Sequence, residues 1–180
     1  MSRIVLILIL QAPSFLSAQD HLEFIGEKID FSINDTRFSV NGIFRFVNNS
    51  GHDIHQTLLF PFATGTESLI VNRVYNLTYN DNLDFQQNNN RIAFKLIVLS
   101  KDTVNLNISY SQSTDKLNVY ILESTETWNK PLQEAQYSLT FDHSISIDSL
   151  SLKPDTMINN TYYWRRTDFL PVDNFKIWIK

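Results

Sequence analysis

A chain of 180 residues with 43% apolar and 19% charged residues carries enough hydrophobic material for one core and excludes disorder. The absence of cysteine excludes a disulfide framework, a thiolate zinc site and a Cys nucleophile, and four Gly leave no phosphate-cradling loop. A formal charge of −4, with Arg165-Arg166 as the one adjacent basic pair, excludes nucleic-acid binding through clustered Lys and Arg.

The chain opens with Met1-Ser2-Arg3, one positive charge, followed by an unbroken aliphatic run from Ile4 to Leu10. Small and polar residues then lead through Ala18 into Gln19-Asp20. These are the three parts of a secretory signal peptide, with cleavage placed after Ala18. The alternative, an uncleaved anchor, fits less well. Ile4 to Ala18 is fifteen residues, interrupted by Gln11 and Pro13, whereas a spanning helix wants ~20 apolar ones. No later segment is long and apolar enough to span a bilayer. The expected organisation is therefore a signal peptide over 1–18 and one domain over 19–180, in a secreted or periplasmic protein. Losing Arg3 takes the charge from −4 to −5.

Past the leader, the hydrophobic period is two. Phe38, Val40, Gly42, Phe44 and Phe46 alternate with Arg37, Ser39, Asn41, Ile43 and Arg45. Such alternation marks a strand with one face in a core. It recurs over Ile92–Val98, Val104–Tyr110, Leu117–Ile121, Ala135–Phe141 and Phe175–Ile179. Within 143–152 the phase slips, because Ile145 and Ile147 are odd while Leu150 and Leu152 are even. A β-bulge near Asp148-Ser149 accounts for the slip. Asn-, Asp- and Gly-containing turns separate these runs, and the one helical turn expected is Glu126–Leu132, which carries Pro131. The prediction is an all-β, single antiparallel β-sandwich of about ten strands, of immunoglobulin-like or related topology. Its expected core is Phe38, Val40, Phe44, Phe46, Phe94, Leu96, Val98, Leu106, Ile108, Tyr137, Leu139, Phe141 and Ile177.

Few residues suggest chemistry. His52, Asp53 and His55 sit within four positions, but a zinc site takes three or four ligands, and an extended backbone separates the two imidazoles. His21 and His143 lie far along the chain, so no metal site and no cofactor are expected. No Ser occupies a Gly-x-Ser-x-Gly elbow, and Glu123 and Glu126 read as solvated carboxylates. Catalytic residues are therefore not assigned. Tyr162 and Trp164 share one strand face, and together with Trp128 they are the candidate ligand-binding residues. Exposed in a flat row, they would suit a sugar ring. Packed inward, they would be core.

Three segments together resemble a group of exported bacterial sandwich domains of unknown function. They are Val40–Asn48 with Leu59-Phe60-Pro61-Phe62, then Tyr120–Trp128 with Pro131-Leu132 and Ala135, then Trp164 with Phe169-Leu170-Pro171 and Phe175-Lys176-Ile177. The style is also distantly similar to the non-catalytic N-terminal sandwich of zinc aminopeptidases. The resemblance implies a non-catalytic fold and transfers no activity, since the chain has no metallopeptidase catalytic domain and fold alone does not carry function. High Asn and Ile usage without Cys has the look of an exported protein of a low-GC bacterium. Five Asn-x-Ser/Thr sequons, at Asn34, Asn48, Asn76, Asn107 and Asn159, stand against a chance expectation of about three. They carry no signal.

The reading is an exported, non-enzymatic structural or protein-interaction module whose partner is a protein or a glycan. A carbohydrate-binding module using the aromatics is the alternative, and a hydrolase with an unrecognised site is the second. N-terminal sequencing of the exported protein is expected to begin at Gln19. A chain that still starts at Met1 and sediments with membranes would establish the anchor instead.

Overall fold

A computed structural model describes residues 22–63, 68–88, 90–122, 128 and 130–180. The expected signal peptide lies outside these residues, as do Glu126, Thr127 and Asn129 of the expected helical turn; its last residue, Leu132, opens a strand instead. Among the described residues the chain is all β, with fourteen strands and no α-helix.

Eight strands form one large sheet. In spatial order they are β12 (Thr156–Ile158), β13 (Thr161–Phe169), β10 (Leu132–Phe141), β1 (Leu22–Ile33), β2 (Arg37–Asn48), β8 (Thr103–Ser113), β4 (Ile70–Asn76) and β5 (Asp81–Asn82). Two three-stranded sheets accompany it. One is β3 (Ile54–Pro61), β7 (Arg91–Val98) and β6 (Phe85–Asn88); the other is β11 (Ile147–Leu150), β14 (Phe175–Ile179) and β9 (Leu117–Tyr120). Ring contacts show that both lie against one face of the large sheet. Phe44 of β2 meets Phe60 of β3 at 5.3 Å, and Phe31 of β1 meets Tyr120 at 5.2 Å and Phe175 at 5.1 Å. The second layer is thus split, and among the described residues no strand ladder joins its halves.

The alternating runs become the strands that the period-two pattern predicts, with β2, β7, β8, β9, β10 and β14 close to their expected limits. Twelve of the thirteen expected core residues are buried. Phe141 is the exception: at the end of β10 it is half-buried and stacks on Tyr162 at 5.5 Å. The predicted bulge is found where the phase slips, as the register of β11 on β14 shifts between Ile147 and Ser149.

Three features differ from the expected single antiparallel sandwich of about ten strands. Short strands β5, β6 and β12 add to the count, since two- to four-residue ladders leave no measurable alternation. The layers comprise three sheets. The pairing of β1 with β10 is parallel, from Gly26↔Glu134 to Ile33↔Phe141. Parallel neighbours need a long crossover, which the intervening strands supply here.

A buried amide organises one end of the fold. Asn48, fully buried, donates from Nδ2 to the carbonyls of His52, Val98 and Leu99 at 2.8, 3.0 and 3.0 Å, and its Oδ1 accepts from Ser50 N and Oγ. Asn76 and Asn107 are buried too, and their side chains bond to backbone at Thr78 and Gly42. Three of the five sequons are therefore structural amides.

Gly42 faces the core from the middle of β2. A Cβ there would lie 2.5 Å from the Phe44 ring and 2.9 Å from Ile29 Cδ1. Gly42→Ala is expected to overpack the layer and cost about 1–3 kcal/mol in urea denaturation. An unchanged midpoint would show that Phe44 can move aside.

Candidate functional site

Register alone sorts the large sheet into inner and outer rows. One inner row runs Trp164, Tyr137, Ile29, Gly42, Ile108 and Val74, and the next runs Arg166, Ala135, Glu27, Phe44, Leu106 and Asn76. The corresponding outer row is Arg165, Gln136, Lys28, Ile43, Asn107 and Tyr75.

The three candidate aromatics do not form an exposed row. Trp164 is 2% exposed; its Nε1 donates to the Leu152 carbonyl at 3.0 Å and its ring meets Phe175 edge-on at 5.2 Å. It is core, since the inner face of β13 looks onto β14. Tyr162 is half-buried on the same face, 6.1 Å from Trp164 and tilted by 54°. Trp128 is separate from both. It lies half-buried against Phe24 at 6.1 Å and Phe46 at 5.5 Å, so the structure does not bring the three together.

Trp128 instead belongs to a cavity of about 400 Å³ that opens where the second layer is split. Its walls include Phe24, Phe44, Phe46, Leu58 and Phe60, with Tyr120 at the end of β9 and residues 56–61 of β3 along its edges. Gln56 points inward between Ile54 and Leu58, and its buried Oε1 has no hydrogen-bond partner. Arg91, exposed at the start of β7, stands at the rim.

Alternation alone did not reveal the buried carboxyl of this cavity, Glu27. The alternation in β1 runs on Leu22 and Phe24, then on Ile29, Phe31 and Ile33, because the register shifts between Phe24 and Gly26. That shift turns Glu27 into the core, where it is 6% exposed. The Tyr137 hydroxyl donates to its Oε1 at 2.5 Å, and the Tyr120 hydroxyl also hydrogen-bonds to it. Burial pushes the Glu27 carboxyl up to about 7, and the two phenols only partly offset this. Burial, together with the charge of Glu27, holds both Tyr hydroxyls well above their ordinary value. The signal that could have revealed Glu27 is the same phase slip that located the bulge in β11.

The outer face of the large sheet is polar. Two adjoining hollows of about 500 and 530 Å³ share Lys28 and Gln136. Asp30, Arg45, Glu134, Arg165 and Tyr163 extend around them, and Arg165 pairs with Glu134 at 2.9 Å. His52 and His55 are both exposed, at the turn before β3 and on its solvent face. Asp53 accepts from the Ser100 N–H at 2.8 Å, and no cluster of three His, Asp or Glu that could hold a metal occurs among the described residues.

No protein-family model and no curated protein matches the sequence. Solved structures do match its fold. A candidate nutrient binding protein from Legionella pneumophila superposes with a TM-score of 0.64 at 13% identity, over 89% of this chain and 67% of that one. A zinc metallopeptidase from Deinococcus radiodurans gives 0.54 at 10% identity, over 89% of this chain and 43% of that one. A leukotriene hydrolase from Saccharomyces cerevisiae gives 0.55 at 14% identity, over 91% and 30%. The chain thus spans less than half the length of either hydrolytic enzyme. These likenesses establish a distant sandwich-like fold and, at such identities, nothing beyond it.

Glu27 ties stability to pH. Its folded value lies above the unfolded one, so the native state holds the extra proton between pH ~4.5 and ~7 and loses stability as pH rises through that window. The full penalty, about 3 kcal/mol, applies above it. Urea denaturation of Glu27→Gln is expected to show this slope flattened, with the variant more stable than the parent at pH 8. Parallel pH profiles for the two proteins would place the titration elsewhere.

Proposed function

We propose that the chain is an exported, non-enzymatic interaction module that docks a partner protein on the outer face of its eight-stranded sheet. The observation that carries this reading is the face itself. No described element covers it, and its hollows adjoin over β1, β10 and β13. Its charges alternate in sign: Lys28 beside Asp30, Arg45 near Glu134, and Arg165 near Asp155. Alternating charge favours a folded partner with a complementary pattern over a polyanion or a membrane surface. Export is supported by the charged start and aliphatic run of residues 1–10.

A non-catalytic role is the economical reading of a polar face built on ladder-bound strands, where side chains stand two by two. The sugar-binding alternative loses one of its three residues, because Trp164 is spent on the core. A photo-cross-linking residue placed at Ser138 or Asn41, both on the outer face, is expected to give a discrete protein adduct in the source cell. The same residue at Lys95, on the solvent side of β7, is expected to give none. Adducts from Lys95 alone would overturn the assignment of the face.

A further inference from the structure

The cavity at the split in the second layer has a chemical character of its own. Its walls are aromatic, with Phe24 and Phe46 stacked at 5.1 Å and Trp128 tilted across both. The buried polar side-chain atom without a partner along the cavity is an acceptor, and the guanidinium donors of Arg91 stand outside, at its exposed rim. The Gln56 Oε1 is buried without a partner. The Glu27 carboxylate takes two phenol donors, yet a carboxylate offers about four acceptor sites. The donors near it, Tyr120 and Tyr137, are already committed to Glu27, and no cation pairs with Glu27 among the described residues. Arg91 stands at the rim, exposed, where water screens its charge.

A buried carboxylate with aromatic faces around it and spare acceptors beside it is complementary to an N–H cation. The volume, about 400 Å³, falls within the range of small-molecule sites. We propose that the cavity between β3 and β9 binds a small primary amine with an aromatic or branched apolar body, its ammonium against Glu27 and Gln56 and its body against Phe24, Phe46 and Trp128. This site lies on the opposite side of the large sheet from the proposed protein-docking face and is independent of it. An ammonium supplies the counter-charge that the fold withholds from Glu27, and its remaining N–H satisfies Gln56.

The groups facing Glu27 set its pH behaviour. Tyr120 comes from β9 and Tyr137 from β10, with Arg166 of β13 on the same inner row, while Gln56 of β3 lines the same cavity and Arg91 stands at its rim. The two phenols stay neutral through the physiological range, so Glu27 is the group that titrates there. Affinity for an ammonium therefore rises as pH passes up through about 7, while an alkylamine remains protonated.

Calorimetric titration of the mature chain with 2-phenylethylamine, 2-phenylethanol and 3-phenylpropanoate, at pH 5.5 and pH 8, tests this. The amine is expected to bind one per chain at pH 8, at least tenfold more tightly than the alcohol, and to weaken several-fold at pH 5.5. Glu27→Gln, which retains the phenol contacts and folds without the buried charge, should bind amine and alcohol alike. Trp128→Ala should weaken both. The proposal is overturned if the carboxylate binds in place of the amine, if no probe binds, or if Glu27→Gln keeps the preference for the amine.

Discussion

The inner face of an eight-stranded sheet is a large apolar surface, and covering it is the constraint that shapes this molecule. Two narrow sheets do the covering from separate parts of the chain, β3, β6 and β7 on one side and β9, β11 and β14 on the other. Aromatic rings bridge the layers on both sides, from Phe44 to Phe60 and from Phe31 to Phe175. Each half packs on the large sheet, yet the edges of β3 and β9 share no ladder. Side chains must close the interval, and at the level of Glu27 they leave it partly open. The cavity is a direct product of building one layer from two pieces.

Glu27 shows how little is needed to place a carboxyl there. One extra residue in β1 moves every following side chain to the other face, so Ile29, Phe31 and Ile33 turn inward and Glu27 leads them. The carboxyl is tolerated because Tyr120 and Tyr137 approach from β9 and β10, across the layer and along the sheet. Both phenols are themselves buried among Phe31 and Phe175, so the polar cluster is walled by rings. A group so placed costs stability when charged and little when neutral, which sets it apart from the surface ion pairs such as Lys130–Glu23.

The strands with unbroken alternation were legible from residues alone, because β2, β7, β8 and β10 each repeat a two-residue period over four or more turns of the pleat. A phase slip in 143–152 was legible as a bulge for the same reason. The matching slip in β1 was harder to read, since only Leu22 and Phe24 precede it and Gly26 contributes no side chain. Alternation also gives sides without saying which faces water: Tyr162 and Trp164 share a face as the sequence requires, and only the packing of β14 on that face makes it interior. Parallel pairing was beyond reach, since nothing local to β1 or β10 encodes its partner. The three buried sequons illustrate the same limit, as nothing local to Asn48, Asn76 or Asn107 tells that their amides are bonded to backbone.

The parallel ladder between β1 and β10 also bears on the order in which the molecule can be assembled. Asp30 and Ser138, neighbours across that ladder, are 108 residues apart in sequence. A chain delivered N-terminus first presents β1 and β2 as a hairpin long before β10 emerges. Until then β1 is a free edge, with Phe24, Ile29 and Phe31 on one side of it and a row of open backbone donors and acceptors along its length. Loop closure over such a span is slow compared with hairpin formation. The central strand of the finished sheet is thus, for most of its early life, the strand most open to a foreign neighbour, and its final partner is among the last segments to arrive.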